Sequence, residues 1–80
     1  MNSWEAWKCS YTFKKKIVHL IDKYNMPILT IADACGVNEK TIRDNLKHST
    51  KFSSKNILLI EKGLKEIYTF IGEDEKKDLL

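Results

Sequence analysis

Residues 31–47 read IADACGVNEKTIRDNLK, two short amphipathic stretches on either side of a single glycine. That glycine constrains the chain more than any other residue. A helix running through it gives up about 1 kcal/mol against alanine. A helix ending there gains the one residue that takes a left-handed terminal conformation without a steric penalty. Gly36 is therefore read as a corner with positive φ that closes a short helix over Ile28–Cys35. Val37 then drops into the core, and Asn38 offers its side-chain oxygen to the free amides of a helix starting at Glu39. In that helix Ile42 and Leu46, four apart, face inward, which leaves Lys40, Arg43, Asp44 and Lys47 outside.

Upstream, Phe13, Ile17, Leu20, Ile21 and Tyr24 recur at helical spacing opposite Lys14, Lys15, Lys16, His19, Asp22 and Lys23. The pattern predicts a helix over 11–24, capped by Ser10 or Thr12. Pro27 disfavours helical geometry at Met26 and suits the first turn of the next helix, so a break is expected near Asn25. Downstream, a loop runs through Ser49, Thr50 and Lys51. Ser53 or Ser54 then caps a fourth helix whose Ile57, Ile60, Leu64, Ile67 and Ile71 alternate spacings of three and four. Gly63 interrupts that stripe without ending it, and Gly72 is the expected stop. Residues 1–10 read as an N-terminal arm and 73–80 as an acidic tail or a last short helix. No alternating β-branched runs occur, so the expectation is an all-α, compact four-to-five-helix domain spanning residues 1–80.

Eighty residues support one small core, which disfavours an elaborate enzyme. No run approaches the roughly 20 apolar residues of a membrane span, and MNSWEAWKCS lacks the apolar centre of a signal peptide. A cytoplasmic protein with no membrane partner is expected. Cys9 and Cys35 have no CxxC partner and His19 and His48 complete no zinc-ligand spacing, so neither metal nor cofactor is expected. Cys35 reads as a small buried hydrophobe beside Gly36. Neither a nucleophile–base–acid set nor a phosphate-binding glycine loop is present, and the expectation is that the protein is not an enzyme. The net charge of +3 is uneven: residues 1–56 hold ten Lys/Arg against five Asp/Glu, residues 57–80 four against six. The front of the molecule is thus suited to an anionic partner.

A short helix, a corner glycine and a second helix resemble the helix-turn-helix of the lambda-repressor-like (Cro/XRE) class of phage repressors and related regulators. The matching residues are Ala32 four before the glycine, Cys35 just before it, Val37 after it, and Thr41 and Ile42 in the following helix. FSSKNILLIEKGL extends the likeness as the capped fourth helix, and the whole covers residues 13–64. Two positions depart from the pattern. Asn45 stands where the class has an apolar residue, with Leu46 one place later, and Ile28 replaces the glutamine that often opens the second helix on a backbone phosphate.

The resemblance implies a sequence-specific double-stranded-DNA-binding regulator, a phage or mobile-element repressor that occludes a promoter. Its third helix would enter the major groove with Asn38, Glu39, Lys40, Thr41, Arg43 and Asp44 near base edges. Arg43 can fork onto guanine O6 and N7, Lys40 can read guanine, and Glu39 or Asp44 can accept from a cytosine amine. Lys47, Lys51, Lys55 and Asn56 would meet phosphates. Against this, Glu39 with Arg43 and Lys40 with Asp44 are i,i+4 pairs that could simply neutralise a solvated face. The alternative is a protein-binding inhibitor or adaptor on the same scaffold, of the kind some phage-encoded anti-CRISPR proteins represent. Finally, Ile67, Tyr68, Phe70 and Ile71 lie beyond the stretch that three early helices can cover. Either Trp4 and Trp7 fold back over them as a core lid, or these six residues form a homodimer or partner interface.

Overall fold

A computed structural model describes residues 2–73. It contains four helices, α1 (Ser3–Tyr24), α2 (Ile28–Cys35), α3 (Glu39–His48) and α4 (Ser54–Phe70), and among the described residues no strand. The fold is all-α.

The first helix begins eight residues earlier than its amphipathic pattern predicts. Asn2 caps it, accepting from the Glu5 amide at 2.8 Å while the Glu5 carboxylate faces the Asn2 amide at 3.5 Å, a reciprocal capping box. Nothing between Glu5 and Tyr24 breaks a helix, so residues 3–10 are the opening turns of α1 and not a separate arm. Ser10 and Thr12 accordingly cap nothing. Ser10 is buried mid-helix, where its hydroxyl donates to the Ala6 carbonyl at 2.7 Å and accepts from the Phe52 amide at 2.8 Å. The helix ends at Asn25, which takes the left-handed conformation at φ 53°. Pro27 is extended and stands one place before α2, not inside its first turn.

Gly36 closes α2 at φ 72°, and its amide and that of Val37 both return to the Ala32 carbonyl. Asn38 accepts from the Lys40 amide at 2.8 Å to start α3, and Ser53 accepts from the Asn56 amide at 3.2 Å to start α4. These are the caps expected from sequence. Helix α4 passes through Gly63, and α2 crosses it there. A Cβ on Gly63 would fall 2.5 Å from Cys35 Cα and 2.9 Å from its Cβ, and against Cys35 Sγ as well. The sequence marks this close approach only as an interruption, yet it sets how near α2 lies to α4.

The core is built from Phe13, Ile17 and Leu20 of α1, Ile31, Ala32 and Cys35 of α2, Ile42 of α3, and Ile57, Ile60, Leu64, Ile67 and Tyr68 of α4, with Phe52 from the loop. Two expectations are corrected here. Asn45, not Leu46, takes the second fully buried place on α3; Leu46 is half-buried. Asn45 Nδ2 donates to the Thr50 carbonyl at 2.6 Å, which fastens the loop after α3, while its Oδ1 is buried without a hydrogen-bond partner. The end of α4 needs no lid of tryptophans, because the long α1 covers it. Tyr68 is fully buried, donates its hydroxyl to the Lys16 carbonyl at 3.0 Å, and stacks on His19. Trp4 and Trp7 are 68% and 48% exposed, and Ala6 is the residue of that first turn that reaches the core. Of the acidic tail, Glu73 bonds to His19 Nε2 at 3.0 Å and Lys23 Nζ at 3.2 Å; residues 74–80 lie outside the described ones.

Candidate nucleic-acid interface

Helix α3 is held by Ile42 and Asn45 on one side, which turns Lys40, Arg43 and Lys47 outward and leaves them exposed. Asp44 lies beside them, and Glu39 and Thr41 are half-buried at the edges. The six residues expected near base edges, Asn38, Glu39, Lys40, Thr41, Arg43 and Asp44, thus occupy the first part of one helix and its cap. Its charges are matched within the helix. Arg43 Nη2 donates to Glu39 Oε2 at 2.6 Å and Lys40 Nζ to Asp44 Oδ2 at 3.3 Å. Such solvent-exposed pairs contribute at most about 0.5 kcal/mol each, so either cation can exchange its partner at small cost.

The residues expected at phosphates divide between two elements. Lys47 is in the last turn of α3. Lys51 lies in the following loop, and Lys55 and Asn56 are in the first turn of α4, whose free amides also favour an anion. A further cation is brought here by the fold. Lys14 of α1 donates to Ser49 Oγ at 2.6 Å, across 35 residues of sequence, and so borders the end of α3. The run Lys14–Lys16 was visible in sequence, but its neighbour was not. From Asn38 to Asn56 there are five cations, Lys40, Arg43, Lys47, Lys51 and Lys55, against the two carboxylates of Glu39 and Asp44.

The residues expected at a dimer or partner interface are not brought together. Ile67 and Tyr68 belong to the core, Ile71 is half-buried against it, and Phe70 is 90% exposed, off the buried face of α4. Trp4 and Trp7 lie on the outer side of α1. These positions do not make one surface.

Among the described residues no group of three or more His, Cys, Asp or Glu is placed to hold a metal ion, and no helix is long and apolar enough to cross a membrane. Burial, and secondarily the Glu66 charge, push the Cys35 thiol up to about 11, so it stays protonated and packs as an apolar group. Its Sγ lies 3.8 Å from the Ile60 carbonyl. The chain matches no protein-family model, no curated protein and no solved structure.

Proposed function

We propose that the chain is a sequence-specific double-stranded-DNA-binding regulator that acts by covering a promoter, with α3 laid in the major groove. The observation that carries this reading is the free outer side of α3: a polar, cation-bearing helix face with no other part of the described chain in front of it. Arg43 and Lys40 are assigned to guanine edges, each leaving its carboxylate partner to do so. Asn38 and Thr41 are assigned shorter contacts, Glu39 and Asp44 cytosine amines. Lys47, Lys51, Lys55 and Asn56 are assigned to the backbone. Ile67 and Tyr68 are occupied by the core, so the proposal is limited to one copy of α3 on one half-site.

Selection of bound sequences from a random duplex pool tests it. A defined motif should emerge, and its affinity should fall with salt at a slope of about −0.9 per phosphate contact. Lys40→Ala with Arg43→Ala should flatten base preference, whereas Lys51→Ala should weaken all duplexes alike and lower the slope by about 1. The absence of saturable duplex binding overturns the reading. The Glu39–Arg43 and Lys40–Asp44 pairs favour a second one, in which the same mixed-charge face grips a protein; it predicts no duplex affinity at any salt concentration.

A further inference from the structure

Helix α1 carries two apolar stripes. Ala6, Phe13, Ile17 and Leu20 face the core. On the far side Trp4, Trp7, Tyr11 and Val18 are all exposed, Tyr11 at 64%. At about 100° per residue these four fall within an arc of roughly 60°, centred about 140° round the helix from the buried set. Their spacing of three, four and seven is that of a heptad seam, the pattern into which a second helix packs. Lys14 holds the remaining place on the line, between Tyr11 and Val18, but its ammonium turns aside to Ser49 Oγ; with Tyr11, Lys15, Val18 and His19 it lines a shallow depression.

The charges along this stripe have one sign. Lys8 Nζ stands 5.5 Å over the Trp4 ring and Lys15 Nζ 5.5 Å over the Tyr11 ring. The two lysines are thus one heptad apart, each leaning on the aromatic residue four before it. Neither they nor Lys14 pair with a carboxylate among the described residues. Acidic residues on this side come only at its limits, Glu5 at the start and Asp22 a turn beyond Val18.

We propose that the outer face of α1 docks an acidic amphipathic helix of another protein. Its apolar residues would lie on Trp4, Trp7, Tyr11 and Val18, and its carboxylates, seven residues apart, would meet Lys8 and Lys15. Tryptophan and tyrosine supply large contact area at low entropic cost, which suits them to anchor such a contact. The charge pattern selects this occupant over three others. A second copy of the stripe would bring its own Lys8 and Lys15 to the seam, and no carboxylate except Glu5 and Asp22 at the limits. A bilayer would have to receive the Lys8 and Lys15 ammonium groups along with the rings they lean on, whereas a helix can lay carboxylates against them. A stacked nucleic-acid base would meet rings that already hold an ammonium over one face. The inference is independent of what α3 reads.

The test is selection on the immobilised full chain from a library of three-heptad helical peptides, with leucine at the seam and the flanking positions randomised over Glu, Lys and Gln. Glu-rich peptides should be enriched and should shift the tryptophan emission saturably to the blue. A Lys8→Glu, Lys15→Glu variant alters only exposed positions and should keep its helicity by circular dichroism. It should select Lys-rich peptides instead and bind the Glu-rich ones at least about tenfold more weakly. Absence of enrichment, or the same preference in both proteins, overturns the proposal. So does a concentration-dependent doubling of mass by light scattering. A larger emission shift with phosphatidylserine-containing vesicles or a single-stranded oligonucleotide than with any selected peptide overturns it too.

Discussion

The outer faces of α1 and α3 both present lysines to solvent, but they are neutralised differently. On α3 each of the first two cations has a carboxylate one turn away, and the surface between them is polar. On the outer face of α1 Lys8 and Lys15 stand over aromatic rings and pair with no carboxylate among the described residues, and the surface between them is apolar. A self-matched polar face gives up little when it exchanges partners, which suits a ligand such as DNA that it must scan and leave. An unmatched aromatic face has unspent contact area, which suits one lasting partner. The two faces also rest on different foundations. α3 is placed through α2 and its tight crossing of α4 at Gly63, whereas α1 stands on side-chain packing and on the Ser10–Phe52 and Lys16–Tyr68 hydrogen bonds.

The largest expected effect attacks that difference in foundation. Gly63→Val pushes a side chain into the Cys35 backbone, so α2 has to move; a loss of about 3 kcal/mol is expected in thermal denaturation. Duplex binding should go with it. Wild-type melting in this variant would mean that α3 does not depend on the close crossing. Next comes the thiol on the other side of that contact. Its folded value near 11 lies above its ordinary 9.0, so the fold holds a proton that the unfolded chain releases. The resulting stability is complete below pH 9.0 and is lost as pH rises towards 11, by about 2 kcal/mol. Urea midpoints along an alkaline series should fall more steeply for wild type than for Cys35→Ala; parallel curves would remove the thiol from the account.

Gly36→Val should cost about 1–2 kcal/mol, read as a lower melting temperature. No atom lies within 4 Å of the added Cβ, so the penalty is that of φ 72° alone. The smallest change in stability, within about 0.5 kcal/mol, is expected for Glu39→Gln. It is nonetheless the sharpest probe of α3, because releasing Arg43 should raise affinity for guanine-bearing duplexes that offer Glu39 no cytosine amine, and leave it unchanged if the face is only solvated.

The parts of the fold legible in sequence are those fixed by local rules. Asn25, Gly36, Asn38 and Ser53 each end or start a helix by backbone geometry and one short hydrogen bond, and all four stand where such residues predict. The first turns of α1 escaped because Trp4, Trp7 and Tyr11 lie opposite Ala6 and Phe13, so the two apolar sides blur the helical period; the Asn2–Glu5 capping box was the signal that remained. Asn45 escaped because its burial depends on the Thr50 carbonyl, a partner supplied by the path of the following loop. Tyr68 escaped because its cover is the length of α1, which local pattern understated. For the candidate interface, α3 and its internal pairs could be anticipated from i,i+4 spacing. The arrival of Lys14 beside Ser49 could not, since only the packing of α1 on the α3–α4 loop creates it.

That same packing has a kinetic side. Ser10 receives the Phe52 amide inside the core, 42 residues away in sequence, and no helical ladder protects that amide. An N–H held this way exchanges with deuterium only when α1 and the loop part. Phe52 should therefore exchange as slowly as the central amides of α1 and α4, while its neighbours Lys51 and Ser53 exchange quickly. A single slow amide within a fast loop makes the separation of α1 from the rest of the molecule directly observable by NMR, apart from the fraying of either helix.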